Sequence, residues 1–176
     1  MMNTTDPKDR KYGLAIILGI ITGLVSGMVK SGSEGFMPPR TPDRIAPPVK
    51  MITDMGIDPS TLIYNYSEQI IHWGGMLIHY LFSVGFALVY CVLAEIFPKI
   101  KLWQGMIFGL FVMVFSHGVL LPILNLSPAP WLLPMDEILS ELVGTALWMW
   151  TIEIFRRDLR NRWTGLPDPG IPKTLK

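Results

Sequence analysis

Three ionisable side chains, His79, His117 and Glu141, stand inside long apolar stretches with no cation at helical spacing from any of them. Such groups are costly to hold at membrane depth, so they normally face a bundle interior, a cavity or one another. Counted from the ends of their stretches, all three fall in the same, outer half of a bilayer. An imidazole gains charge near pH ~6.5 in water. The sequence therefore predicts a protonatable polar cluster facing the outer compartment.

Two further residues extend this cluster, because His72 precedes His79 by two helical turns and Glu137 precedes Glu141 by one. Three interpretations remain open. The cluster can be a set of interhelical hydrogen bonds that fixes packing, a site that responds to protonation, or a metal or haem site. Single, widely separated ligands carry little metal specificity, so we expect neither a metal nor another cofactor.

Four apolar stretches must position these residues, and they are predicted as membrane-spanning helices at residues 13–29, 70–97, 102–124 and 138–155. They are too long for barrel strands and lack the alternation of strands. The expected fold is all-α, a polytopic membrane protein in a single domain with four transmembrane helices in a lipid bilayer. A signal peptide is the competing interpretation of the first stretch. The charged Lys30 lies between the apolar stretch and the small residues that resemble a cleavage site, which disfavours this interpretation.

The placement of lysine and arginine predicts the orientation. These residues concentrate in the N-terminal tail, in the turn between the second and third stretches and in the tail at residues 156–176, whereas the loop at residues 31–69 has few. The positive-inside rule therefore predicts that both termini are cytoplasmic and that the loop is outside. Overall, 15 lysines and arginines face 14 acidic residues, a net charge of +1 that leaves no basic excess for nucleic acid.

Charged residues also mark the cytoplasmic ends of two helices. Glu95 precedes Lys99 by four residues and Glu153 precedes Arg157 by four, which predicts two local ion pairs. Beyond Phe155, apolar and basic residues recur on separate helical faces, which predicts a helix along the inner membrane interface. Its arginine run could hold anionic lipid, although fixing topology explains the run as well. The run comprises Arg156, Arg157, Arg160 and Arg162.

Small residues recur at helix-packing spacing in two stretches. Gly19, Gly23 and Gly27 repeat every four residues in the first, and Gly105 and Gly109 in the third. Such series allow two backbones to approach closely, either within one bundle or between copies in a homo-oligomer. We expect no enzyme, because the sequence has no nucleophile elbow, HExxH or phosphate loop.

Several segments, in order along nearly the whole chain, resemble the YagU-type inner-membrane proteins, a bacterial family of unknown function. They are Tyr12-Gly13-Leu14-Ala15, Pro38-Pro39-Arg40-Thr41-Pro42, Phe97-Pro98-Lys99-Ile100-Lys101-Leu102-Trp103-Gln104-Gly105, Arg156-Arg157-Asp158-Leu159-Arg160-Asn161-Arg162 and Pro167-Asp168-Pro169. The family pattern also has residues matching His79, Glu95, His117, Pro122, Glu141 and Glu153. The chain departs from the pattern in a shorter outer loop between its two proline clusters.

This resemblance implies a multi-pass protein of the bacterial inner membrane that is linked to acid resistance and the stress response. It carries over no catalytic residues. It agrees with the protonation interpretation, since outward histidines would face a compartment whose pH follows the medium. A structural or assembly protein without a ligand and a small proton or solute transporter or channel remain the alternatives.

Overall fold

Four helices in the computed structural model, which describes residues 4–170, are long and apolar enough to cross a membrane. They are α1 (Tyr12–Phe36), α3 (Trp73–Ile96), the segment Met106–Ile123 and α6 (Met135–Thr164). The third spanning segment consists of three consecutive parts, which are α4 (Met106–Phe115), a π-helical stretch (Ser116–Leu120) and α5 (Leu121–Ile123). The prediction of four long apolar helices is confirmed.

The two ends of the bundle differ in the connections that they carry. The turn end carries the connection between α3 and α4, where Pro98–Lys101 forms a 3₁₀ turn. The loop end carries the connection between α1 and α3 and the one between α5 and α6. Chain segments near both termini lie at the turn end, because the Thr5 amide donates to the Ile96 carbonyl over 3.0 Å and the Lys101 ammonium contacts Asp168.

The centre of the bundle is the contact of α1 with α3 and α6. Gly19 and Gly23 lie so close to α3 that an added Cβ would stand 2.7 Å from the Leu88 Cα and 2.6 Å from the Val84 Cα. Gly27 lies against the ring of Tyr80 in the same way. The glycine series of α1 is therefore used inside this chain, and a homo-oligomer stays a prediction without this face as its basis.

The third spanning segment packs mainly on α6 and makes little contact with α3, although the two follow one another in sequence. Gly109 admits Met149 of α6, whose Cβ would lie 2.8 Å from an added Cβ. Near the turn end α3 approaches α4, with the Tyr90 and Phe108 rings 5.2 Å apart. Gly105 is not part of the helix. It precedes α4 at a φ of +77°, a left-handed conformation that glycine adopts without strain.

The predicted boundaries need correction at both ends of the bundle. The first helix does not stop at residue 29 but continues through Phe36, because Lys30 is paired with Glu34 one turn on and with α6. The helix predicted beyond residue 155 is present, since α6 continues to Thr164, but Arg156 and Arg160 turn inward onto buried acids rather than towards the interface. Of the predicted tail, residues 171–176 lie outside the described part of the chain.

The other two helices are shorter than predicted, since α3 begins at Trp73 rather than residue 70 and α4 at Met106 rather than residue 102. The loop between α1 and α3 contains the short helix α2 (Pro47–Asp54) and an antiparallel hairpin of β1 (Tyr64–Tyr66) and β2 (Gln69–Ile71). The fold is thus mostly helical rather than strictly all-α. The hairpin is three residue pairs long and exposed, and its residues lie in a stretch predicted as loop running into helix.

Candidate functional site

The loop end of the bundle holds an ion cluster built on Glu141 of α6. The Lys30 ammonium of α1 donates to the Glu141 Oε2 over 2.9 Å, and the His117 Nε2 lies 3.4 Å from the same oxygen. Lys30 also lies 3.4 Å from Glu34. Three different spanning segments therefore meet at one carboxylate. The ion pairs formed there offset the free-energy cost of removing each charged group from water.

The position of His117 depends on the irregular winding of its helix. It lies in the π-helical stretch Ser116–Leu120, whose Leu121 amide donates to the Ser116 carbonyl. Pro122 follows this stretch and has no amide to donate to a preceding carbonyl, so a regular α-helical ladder is interrupted here. Where His117 faces Glu141, the helix therefore has the wider π-helical turn in place of the α-helical one. Such π-helical turns are frequent at functional sites.

A cavity of about 450 Å³ opens beside this cluster, between α3 and the third spanning segment. His79, His117 and Glu141 all line it, so the structure brings the three predicted residues to one space. The Nε2 of His79 is buried and has no hydrogen-bond partner among the described residues. A buried polar atom without a partner is unusual in a folded protein.

Polar groups also form the wall of this cavity nearer the membrane centre. The Trp148 indole donates to the Ser83 hydroxyl over 2.7 Å, and that hydroxyl donates to the Gly23 carbonyl over 2.7 Å. Ser26 lies 3.4 Å from the Ser83 hydroxyl. These groups are buried and satisfied, so they hold α1, α3 and α6 together below the titratable residues.

The two outer members of the predicted cluster are placed differently. His72 is exposed immediately before α3 and lies at the rim of the cavity. Glu137 is buried, but it pairs with Arg44 of the loop and lines a second cavity of about 240 Å³. That second cavity shares His117 and Glu141 with the first. Glu137 thus lies next to the cluster and does not line the larger cavity with His79.

Sequence reasoning missed the cations of this site. The predicted first span ends at residue 29 and leaves Lys30 outside it, although the spacing of four residues from Lys30 to Glu34 is a helical signal. Arg44 lies in a proline-rich loop, and nothing in the sequence indicates that this loop folds back over α6. Both cations reach their carboxylates only because α1, α6 and the loop converge.

The ion pairs predicted at the turn end are wrong. Glu95 accepts from Arg160 of α6, with distances of 2.5 Å from Nε and 3.0 Å from Nη2, and not from Lys99. Helix α3 ends at Ile96, so Lys99 no longer follows the helical spacing that the pairing required. Glu153 accepts from Arg156, three residues on, and from the Tyr90 hydroxyl rather than from Arg157.

A segment after α6 completes this turn-end cluster. The chain leaves α6 at Gly165 and folds back so that the Asp168 carboxylate, with no exposed side-chain area, accepts from Arg156 and from Lys101 over 2.7–2.9 Å. Burial alone would raise the pKa of Asp168, but the hydrogen bonds and charges of Arg156 and Lys101 hold it below its usual range.

The arginine run is consequently divided into two kinds. Arg156 and Arg160 are almost fully buried in ion pairs, so the prediction that they bind anionic lipid is wrong for these two. Arg162 is exposed and pairs with Asp158, and Arg157 is half-buried. Any lipid contact at this end would therefore rest on Arg157 and Arg162.

Among residues 4–170, no group of three or more His, Cys, Asp or Glu side chains is arranged so that it could hold a metal ion. The cation on Glu141 is instead the Lys30 ammonium.

Comparisons with known proteins agree with the resemblance noted in the sequence. The model of a family described as "Protein of unknown function (DUF1440)" matches residues 24–154. The inner membrane protein YagU of Escherichia coli (strain K12) is 40% identical over 194 residues, which cover 96% of this chain and 95% of that protein. No solved structure matches the chain.

Proposed function

This chain belongs to the DUF1440 family of proteins of unknown function, and we propose that it contributes to acid resistance through the protonatable cluster at the loop end. The four apolar helices and the inner-membrane relative support a multi-pass protein of the bacterial inner membrane. The observation that carries the proposal is the meeting of His117, Lys30 and Glu141 beside a cavity that His79 also lines.

The proposed orientation has the loop end outside and both termini in the cytoplasm. It rests on the excess of lysine and arginine in the turn and tails. The contacts of Thr5 and Asp168 near the turn between α3 and α4 support a common side for the two termini. In this orientation, the two cavities face the compartment whose pH follows the medium.

Protonation would change which group Glu141 binds. When His117 is neutral, Lys30 is the only cation within hydrogen-bond distance of the carboxylate among the described residues. A charged His117, 3.4 Å away, would compete with Lys30 for the same oxygen. We infer that acidification then moves α1 relative to the π-helical stretch, since each of these two groups belongs to one of them. In this proposal, acidification exchanges one ion pair of Glu141 for another, and the protein catalyses no chemical reaction.

Replacing both histidines tests this proposal. The variant His79→Gln/His117→Gln, at equal amounts in the membrane, is expected to lower survival in acid medium while leaving growth at neutral pH unchanged. The matched control is His72→Gln, which removes an exposed imidazole at the rim of the same cavity. Unchanged acid survival of the double variant would refute the protonation function.

A structural role is the second candidate, and the satisfied hydrogen bonds of Ser83 and Trp148 favour it. It predicts that the double variant loses thermal stability equally at neutral and acid pH, without an acid-specific loss of survival. Proton or solute flux in liposomes would instead indicate a transporter or channel.

A further inference from the structure

One cation of the loop end, Arg40, has no carboxylate within 4 Å among residues 4–170, unlike its neighbours Lys30 and Arg44. Arg40 lies in the proline cluster at residues 38–42 and is half-buried. It lines both cavities of the loop end. Glu34 and Glu141 line the larger cavity as well, but neither carboxylate is within 4 Å of Arg40. A guanidinium without such a direct pair favours an anion, because its planar donors match a carboxylate in two parallel hydrogen bonds.

The cavity below Arg40 is mostly apolar. Its walls include side chains from α3 and from the third spanning segment, which are Met76, Phe82, Val112, Met113, Leu120 and Leu121. Its volume of about 450 Å³ is within the range of small-molecule sites. Apolar walls below a cation are complementary to a molecule with an anionic head and a hydrocarbon chain.

Access from the bilayer follows from the packing of the helices. The third spanning segment contacts α6 and makes little contact with α3, and the two approach each other near the turn end at Tyr90 and Phe108. Towards the loop end the cavity separates them. A hydrocarbon chain can therefore enter sideways between α3 and the third segment without crossing the polar loop.

We propose that this cavity binds one long-chain fatty-acid anion, with its carboxylate on Arg40 and its chain between α3 and the third spanning segment. A single chain is favoured over a two-chain phospholipid because the space is at the smaller end of ligand sites. The inference concerns binding and does not rest on the acid-resistance proposal, which would survive its failure.

Photolabelling of the purified full chain in mild detergent tests this inference. The probe is a palmitic acid that carries a diazirine in its chain, and labelled residues are mapped by mass spectrometry. We expect one label per chain on cavity residues such as Met113 or Leu120. Palmitate should compete, whereas methyl palmitate, which has the same chain without the charge, should compete at least tenfold less well.

Two variants with matched controls separate the head-group contact from the chain contact. Arg40→Gln should weaken labelling of the cavity about tenfold, since a charge-assisted hydrogen bond is lost, whereas Arg162→Gln at the turn end should not. Met113→Trp should fill the cavity and abolish its labelling, whereas Leu110→Trp, at an exposed position of the same helix, should not. Thermal unfolding of each variant verifies that it is folded.

Three results would overturn the inference. Equal competition by methyl palmitate would show that the charge of the head group is not recognised. Labels spread over the exposed faces of the helices, unaffected by Arg40→Gln and Met113→Trp, would show partition into the detergent only. Stronger competition by a phospholipid than by palmitate would assign the cavity to a membrane lipid.

Discussion

Asp168 offers the sharpest test of how the turn end is stabilised. Its carboxylate has no exposed area and accepts hydrogen bonds from Arg156 and Lys101, whose side chains are 1% and 5% exposed. The substitution Asp168→Asn keeps the size of the side chain and removes its charge. Arg156 retains Glu153, whereas Lys101 keeps the Pro169 carbonyl but loses its carboxylate, and a buried cation without a countercharge is strongly destabilising.

The expected loss follows from this geometry. Breaking a buried ion pair costs about 3–5 kcal/mol. We expect the lower end, about 3 kcal/mol, because Glu153 still neutralises Arg156 and the segment at residues 166–170 can separate and admit water to Lys101. For a chain of this length, that loss lowers the midpoint of thermal unfolding by roughly 6–12 °C.

Thermal unfolding in one detergent at neutral pH, followed by circular dichroism, measures this effect. Asp158→Asn is the matched control, because Asp158 pairs with Arg162 where both side chains are at least half exposed, and exposed pairs contribute little. Adding Lys101→Met to Asp168→Asn should recover part of the loss by removing the unpaired cation. If Asp168→Asn unfolds no earlier than Asp158→Asn, the reasoning about the buried cluster is refuted.

The same cluster predicts a pH dependence with a definite sign. Burial by itself would raise the pKa of Asp168, but the hydrogen bonds and charges of Arg156 and Lys101 together outweigh it, so this pKa is lowered in the folded chain. A depressed carboxyl pKa stabilises the fold fully above its unfolded value of ~4, and this contribution is lost as the pH falls through the folded value. The difference in unfolding midpoint between the wild type and Asp168→Asn should therefore be constant above pH ~4 and shrink below it. A difference that instead grew on acidification would contradict this assignment.

Two further predictions concern helix contacts. Gly23→Leu should separate α1 from α3 and lower the unfolding midpoint by several degrees, since an added Cβ already meets the Val84 backbone at 2.6 Å; Gly32→Leu, with open space around it, is the control, and equal midpoints would contradict the packing. Arg160→Gln should destabilise the chain by about 3 kcal/mol because it leaves the buried Glu95 carboxylate with the Lys11 amide but without a countercharge, whereas Lys99→Gln should not. Urea titration in detergent compares these last two, and equal losses would favour the local pairing with Lys99.

Local patterns in the sequence determined the number of spanning helices, their approximate positions and the membrane class. Hydropathy is a property of consecutive residues, and a backbone in lipid must form helices to satisfy its own polar groups. The glycine spacing of α1 likewise indicated a close helix contact, because all members of the series lie on one helix and share its face. The depth predicted for His79, His117 and Glu141 also rests on counting residues along each helix.

The tertiary structure alone decided which charges meet. The pairing of Glu141 with Lys30, of Glu95 with Arg160 and of Asp168 with Lys101 depends on the rotation of each helix and on the return of the chain after α6. Sequence spacing compares residues on one helix, so it favoured Lys99 as the partner of Glu95. Across helices, a buried charge takes whichever partner the packing brings within reach, because leaving it unpaired costs more than interrupting a local pattern.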